Sequence, residues 1–203
     1  SMPNKTTRRA LLGTGLGLAA LALLPLPARA QPEARAQALV AQLSAEALDL
    51  IRSGRPESQL YPEFERLLAR YGDMPAVAQA TLGPPWRSAS DAQRRAYVAS
   101  FQSYLARKYG QQFREFRQAE ITIARVRDAG RAGVLVETVV RRPGQADVSV
   151  GWQVSEQSGA PRVVNIIIEG ISMIATERAE IGAMLEAARG SIDGLIQTLR
   201  ARA

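Results

Sequence analysis

Apolar and polar residues follow one another along this chain in two rhythms. Over residues 33–53 the apolar positions Ala36, Leu39, Val40, Leu43, Ala47, Leu50 and Ile51 have the spacing of one helix face, and Ser53-Gly54-Arg55-Pro56 ends the run. Phe64, Leu67, Leu68 and Tyr71 mark a second helix, broken at Gly72-Asp73. Asp73 is placed to cap a third, short helix that has Pro75 in its first turn and carries Met74, Val77, Ala78 and Leu82. Prolines lack an amide donor and hold the residue before them out of the helical region, so Gly83-Pro84-Pro85 halts this helix before Trp86. Ser90 and Gln93 then form a capping box, opening a long helix with Tyr97, Phe101, Tyr104, Leu105 and Tyr109 along one side.

After Phe113 and Phe116 the period falls to two. Residues 120–127 point Ile121 and Ile123 one way; residues 134–140 point Val134, Val136, Thr138 and Val140 one way; residues 147–154 do the same with Val148, Val150, Trp152 and Val154. Asp128-Ala129-Gly130, Arg142-Pro143-Gly144 and Ser158-Gly159-Ala160-Pro161 supply the turns. The stretch 163–174 organises the rest. It is apolar at both parities as far as Ile168 and carries Gly170, so it reads as a fourth strand covered on both sides with a bend near its end. Five Val and Ile residues within 163–168 favour strand over a buried helix. Thr176 is then expected to cap a helix bearing Ile181, Met184 and Leu185, and Ser191 a last one bearing Ile192, Leu195, Ile196 and Leu199. Helices, strands joined by short loops, then helices predict an α+β fold: helices on one face of a twisted antiparallel sheet of four strands or slightly more.

Composition narrows the chemistry. The chain has no cysteine and no histidine, which removes disulfides, Cys or His zinc sites, histidine acid–base catalysis and cysteine nucleophiles. The carboxylates are scattered. Glu137 and Glu169 lie in strand patterns and are the one conceivable acid–base pair, although ordinary sheet-surface charge accounts for both. No Gly-rich phosphate loop follows a strand. The chain is therefore not expected to be an enzyme, and no cofactor or metal is expected.

Four of the seven net positive charges, Lys5, Arg8, Arg9 and Arg29, lie in the first thirty residues, which hold no acid and leave the remainder at +3. That largely removes the case for a nucleic-acid partner. Arg94, Arg95, Arg107, Lys108, Arg114 and Arg117 make the long helix basic on the side expected to lie away from its aromatics, a solvated face or a docking surface.

Ser1 before Met2 has the look of a cloning scar. Arg8-Arg9, an uncharged run to Leu24 diluted by Gly13, Gly15 and Gly17, and the small residues of Ala28-Arg29-Ala30 read as an export signal, similar to a twin-arginine leader. The run is too short to span about 30 Å of hydrocarbon. Residues 1–30 are thus expected to be scar and leader, cleaved before Gln31, with one periplasmic domain over 31–203.

Four stretches, in order, resemble the MlaC or toluene-tolerance family of periplasmic phospholipid carriers. They are Asp73-Met74 through Ala78 to Leu82-Gly83-Pro84-Pro85-Trp86, then Ser90-x-x-Gln93 with Phe101-x-x-Tyr104-Leu105, then Ile168-Glu169-Gly170-Ile171-Ser172, then Ile192-Asp193-Gly194-Leu195-Ile196 with Leu199. Pro84-Pro85 and Asn165 depart from the family pattern. The resemblance implies an apolar cavity between sheet and helices for lipid acyl chains, with the head group near solvent. Small Val, Ile and Ala side chains on the inward faces, with aromatics at 5%, are compatible with such a void. The lipid-binding wall expected on this basis is Val77, Leu82, Trp86, Phe101, Tyr104 and Leu105 from the helices and Val136, Val150, Trp152, Ile166 and Ile168 from the sheet, with Met173 at the rim. Either sheet face could be the inner one. The implied partners are phospholipid, an inner-membrane MCE-domain protein with its ABC transporter, and an outer-membrane lipoprotein–porin complex. A hopanoid or other apolar cargo on the same fold, a filled-core adaptor using the basic helix face, and an enzyme with Glu137 or Asp147 as base are the rival readings.

Overall fold

The computed structural model describes residues 30–203; the expected export leader lies, up to its last residue, outside them. Four helices come first: α1 (Ala30–Arg52), α2 (Glu57–Tyr71), α3 (Met74–Leu82) and α4 (Asp91–Gly110). A meander follows, of β1 (Glu120–Asp128), β2 (Val134–Arg141), β3 (Val148–Ser155), β4 (Arg162–Ile168) and the two-residue β5 (Ile171–Ser172). Helices α5 (Met173–Ala187) and α6 (Ile192–Arg202) close the chain. The strands lie in sequence order, each antiparallel to its neighbour. Among the described residues no helix is long and apolar enough to cross a membrane.

Local chemistry sets the helix starts. The Asp73 carboxylate accepts from the Ala76 amide at 3.1 Å. Ser90 and Gln93 make both halves of the capping box, at 3.1 and 3.0 Å. Ser191 Oγ accepts from the Gly194 amide at 3.0 Å, ahead of α6.

The stretch 163–174 is divided rather than continuous. β4 stops at Ile168 because Glu169 (φ 49°) and Gly170 (φ 79°) turn the chain through the left-handed region, where glycine alone is free of steric cost. Glu169 holds this turn by a long-range contact: its amide donates to Ser149 O at 2.9 Å and its carboxylate accepts from the Ser149 amide. The chain returns as β5, and Ser172, not Thr176, caps the next helix by accepting from the Ala175 amide at 3.3 Å. Met173 is thus the first residue of α5 rather than the end of a strand.

The helices do not all lie on the sheet. α3, α4, α5 and α6 share a core of their own, built on Ala78, Leu82, Tyr97, Phe101, Ile181, Leu195 and Leu199. A second core joins α1 and α2 to the sheet, through Ala36, Val40, Leu43, Leu67 and Tyr71 against Val134, Val136, Val154 and Val163. The parity that carries Val134 and Val136 is therefore the inner one. The register sets Val136 opposite Trp152 and Trp152 opposite Ile166, with Val150 paired to Thr138 and to Ile168.

Both edges of the sheet have particular features. Along β4, the Asp73 amide donates to Val163 O at 2.9 Å, Gly72 bridges Val163, and β5 pairs with Ile167 and Ile168. β1 is interrupted by an irregularity between Ile123 and Arg125.

Candidate functional site

At the end of the sheet where β1 begins and β4 finishes, packing on the inner face is loosest. The buried apolar residues there are Ala119, Val140 and Val150, and around them Leu48 of α1, Phe116, Ile121, Val148, Trp152, Ile166 and Ile168 are half-buried. Apolar side chains left partly accessible side by side form an apolar floor on this face, with few fully buried residues among them. Trp152 and Ile166 also touch the α1–α2 core, so the floor is continuous with it.

The floor is fixed from below. The Trp152 indole Nε1–H donates to Thr138 Oγ1 at 2.9 Å, and that hydroxyl, 1% exposed, donates to Val150 O at 2.9 Å. The polar tip of the indole is thereby satisfied within the sheet and its apolar body joins the floor.

The rim is cationic. Arg52 donates from Nε to Arg117 O at 3.2 Å and from Nη2 to Ala119 O at 2.7 Å, tying the chain that leads into β1 to the end of α1. The Arg142 guanidinium lies 4.7 Å from the centre of the Phe116 ring. Arg141, on the opposite face of β2, pairs with Asp147 at 3.3 Å and donates to Thr122 Oγ1. Ile171, at the tip of the β4–β5 turn, is the large apolar side chain most open to solvent among the described residues, at 62% exposure.

The expected wall residues fall into two groups that the fold does not bring together. Leu82, Phe101, Tyr104 and Leu105 are buried in the α3–α6 core, with Val77 and Trp86 half-buried against it. Tyr97 and Phe101 stack at 5.6 Å between ring centres, and neither has exposed surface. Of the sheet residues, Val136 is fully enclosed against α1 and α2, whereas Val150, Trp152, Ile166 and Ile168 belong to the loose floor. Met173 is half-buried at the start of α5. Leu48, Phe116, Ile121 and Val148 lie on this floor beyond the expected wall. The alternation of β1 and β3 already put Ile121 and Val148 on one face; nothing local to Leu48 or Phe116 marks them.

The basic side of α4 is also less free than its sequence implies. Arg94 donates to Trp86 O at 3.0 Å and lies over its ring, and Arg107 lies over Tyr61. Lys108 turns inward and bridges Glu177 at 2.8 Å and Glu180 at 2.7 Å on α5. Tyr109 donates to Glu177, which is almost entirely buried, and Tyr104 donates to Glu180 at 2.9 Å. Burial alone would lower the Lys108 pKa, but the hydrogen bonds to Glu177 and Glu180 hold it above the usual lysine range. The hydrogen bond from Lys108 holds the Glu180 carboxyl below its ordinary range. Burial, reinforced by the bond to Glu180, raises the Tyr104 phenol to about 12.

Glu137 and Glu169 are each engaged, the first with Arg127 at 3.6 Å and the second with the Ser149 amide. Among the described residues no group of three or more acidic, His or Cys side chains is arranged to hold a metal ion. Two polar-rimmed clefts, of about 280 and 300 Å³, lie elsewhere: one between α1 and α2 around Glu46, Arg55 and Arg70, the other at the start of α1 around Glu33, Asp128 and Glu156.

A family model described as "MlaC protein" matches residues 41–201. The chain belongs to the MlaC family. Its fold is similar to that of a solved phospholipid-binding protein from Ralstonia solanacearum, determined in complex with a phospholipid, at 24% sequence identity and a TM-score of 0.69. The match covers 82% of this chain and 96% of that one. In this MlaC-family chain, Pro84-Pro85 opens a single 3₁₀ turn, Pro84–Arg87, after Gly83 at φ 72°. Trp86 thereby rests half-buried on the helical core. Asn165 accepts from the Ile174 amide at 3.1 Å and bonds Ser172 Oγ at 3.0 Å, so it locks the start of α5 to β4.

Proposed function

We propose that this chain is a periplasmic phospholipid carrier that holds acyl chains over the apolar floor of its sheet. The observation that carries the reading is the contrast in packing along one sheet face. Val136 has no exposed surface, whereas Trp152, Ile166 and Ile168 on the adjoining strands keep accessible apolar surface at the end of the sheet where Arg52 and Arg142 stand. Family membership and the lipid-bound neighbour support a binding protein, and phospholipid as what it binds.

The physical need for such a floor is large. A ~16-carbon chain leaving a bilayer for water loses on the order of 13 kcal/mol at about 0.8 kcal/mol per methylene. A carrier must offer nearly the same environment as the bilayer, so its affinity comes mostly from tails. Pockets for ligands of drug size run to roughly 300–1,000 Å³, and a two-chain lipid needs space toward the upper end. On this reading the chain exchanges lipid with an outer-membrane lipoprotein–porin complex and with an inner-membrane MCE-domain protein and its ABC transporter. The leader-like start of the sequence supports the compartment.

The test is native mass spectrometry of the mature chain purified from a bacterial periplasm without detergent, followed by organic extraction. About one diacyl phospholipid or more per chain is the expected result. A stably folded, lipid-free protein that also fails to take up added phospholipid overturns the proposal.

A further inference from the structure

Arg142 is an unusual cation for a protein surface. Its side chain is 19% exposed, its guanidinium is stacked on Phe116, and the carboxylate it pairs with among the described residues, Glu115, stands 3.6 Å away with a side chain 68% exposed. The Arg142 Nε–H is shut off from solvent and has no acceptor among the described residues. A largely buried guanidinium with one unused donor, only loosely paired through its exposed Nη edge, has positive charge to spare for an anion at that edge. Phe116, which holds it, is itself part of the apolar floor, packed beside Ala119, Val140 and Val150. Apolar floor and under-partnered cation are thus joined through a single ring.

We propose that Arg142 reads the phosphodiester anion of the bound lipid; this rests on the carrier reading above. The guanidinium offers a planar fork and a fixed positive charge, the match for a phosphate oxygen pair, and acyl chains lying on Ile121, Val148 and Ile168 bring the head group to the rim where Arg142 sits. Glu115 competes for the same group and gives way on lipid binding. Head groups beyond the phosphate are left in solvent, so the selectivity is for a phosphate-bearing amphiphile over a neutral one with the same tails.

The experiment measures binding of phosphatidylglycerol and of diacylglycerol with identical chains, by lipid competition and native mass spectrometry, for the mature wild-type chain, Arg142→Gln, Arg142→Lys and Glu115→Gln. Thermal melts accompany each variant; if Arg142→Gln is poorly folded, the lysine and Glu115 variants carry the test. Arg142→Gln is expected to weaken phosphatidylglycerol binding about tenfold, the worth of a charge-assisted hydrogen bond, with diacylglycerol unchanged. Arg142→Lys keeps charge without the fork and falls between. Glu115→Gln, by freeing Arg142, strengthens phosphatidylglycerol binding about two- to threefold, an effect a purely structural arginine does not give. An equal loss for both lipids, or no loss for either, overturns the assignment. Displacement of the preference by millimolar inorganic phosphate overturns it in favour of a free-phosphate site. Wild-type protein that binds neither lipid overturns the carrier reading itself, and this inference with it.

Discussion

The same substitution at two points on one sheet face should have opposite consequences. Val136→Glu puts a carboxyl where Val136 has no exposed surface and where no cation is buried among the described residues. Losing the valine's burial costs about 1–2 kcal/mol, and a carboxyl without partners costs about 3 kcal/mol more. A loss of about 5 kcal/mol is a large part of the 5–15 kcal/mol typical of a domain, and lowers the melting midpoint by roughly 10–20 °C. Ile166→Glu is different because Ile166 is half-open, so the new carboxylate reaches water and the fold loses only about 1 kcal/mol. In the lipid-bound protein, however, that carboxylate faces acyl chains. The cost of a charge among hydrocarbon, about 3 kcal/mol on insertion scales, is a loss of roughly a hundredfold in affinity. Urea titration followed by tryptophan fluorescence reports the fold, and phospholipid reloading followed by native mass spectrometry reports the site. Folded Ile166→Glu that takes up phospholipid like wild type refutes the placement of the tails over the sheet floor. Val136→Glu that melts like wild type refutes the closed core beneath α1.

Three further outcomes concern the packing around this floor. Lys108→Met leaves Glu177 buried without its cation, and a loss of about 3 kcal/mol is expected in chemical denaturation, largely restored in the double variant Lys108→Met/Glu177→Leu. Because the Glu180 pKa is depressed in the folded state, its contribution is present above its unfolded value and is lost as pH falls through the folded one. The wild-type urea midpoint should therefore drop on acidification below the ordinary carboxylate range, more steeply than that of Lys108→Met. Gly133→Ala is expected to cost about 2–4 kcal/mol by the same assay, since Gly133 sits at φ 90° and an added Cβ would meet the Val154 carbonyl oxygen at 2.1 Å.

Much of the fold could be read from the order of residues because its signals are local. The capping box at Ser90, the aspartate before α3, the glycine turns and the two-residue rhythm of β1 to β3 each depend on neighbours a few positions away. The 163–174 stretch misled because what ends β4 is distant: Glu169 adopts a left-handed turn held by Ser149, twenty residues earlier. Once the strand stops there, Ser172 falls at the helix entrance and Thr176 is already inside, its hydroxyl donating to Ser172 O at 3.2 Å. The site was half visible. Alternation groups Val136, Val150 and Trp152 on one face but leaves open which face is inner, and the aromatic side of α4 announces only that it is buried, not against what; it packs on α3, α5 and α6 rather than on the sheet. Lys108 lies inward for the same reason, since its acids come from a helix about seventy residues further along. Arg142 could be recognised only as a turn residue until Phe116 was seen beneath it.

The treatment of the sheet's two margins bears on how such a chain avoids self-association. A meander necessarily ends in two strands with unspent backbone donors and acceptors, which are templates for a second copy of the same sheet. Here the margin along β4 is spent within the chain, on Gly72-Asp73 at one end and on β5 at the other. Only β1 remains, and it is bent by its irregularity beside Arg125 and carries the exposed charges of Arg125 and Arg127. A strand that is kinked and lined with exposed charges of both signs, Glu120 and Asp128 besides the two arginines, makes a poor template for stacking, so a protein whose apolar sheet face is partly accessible can still stay a single chain in solution.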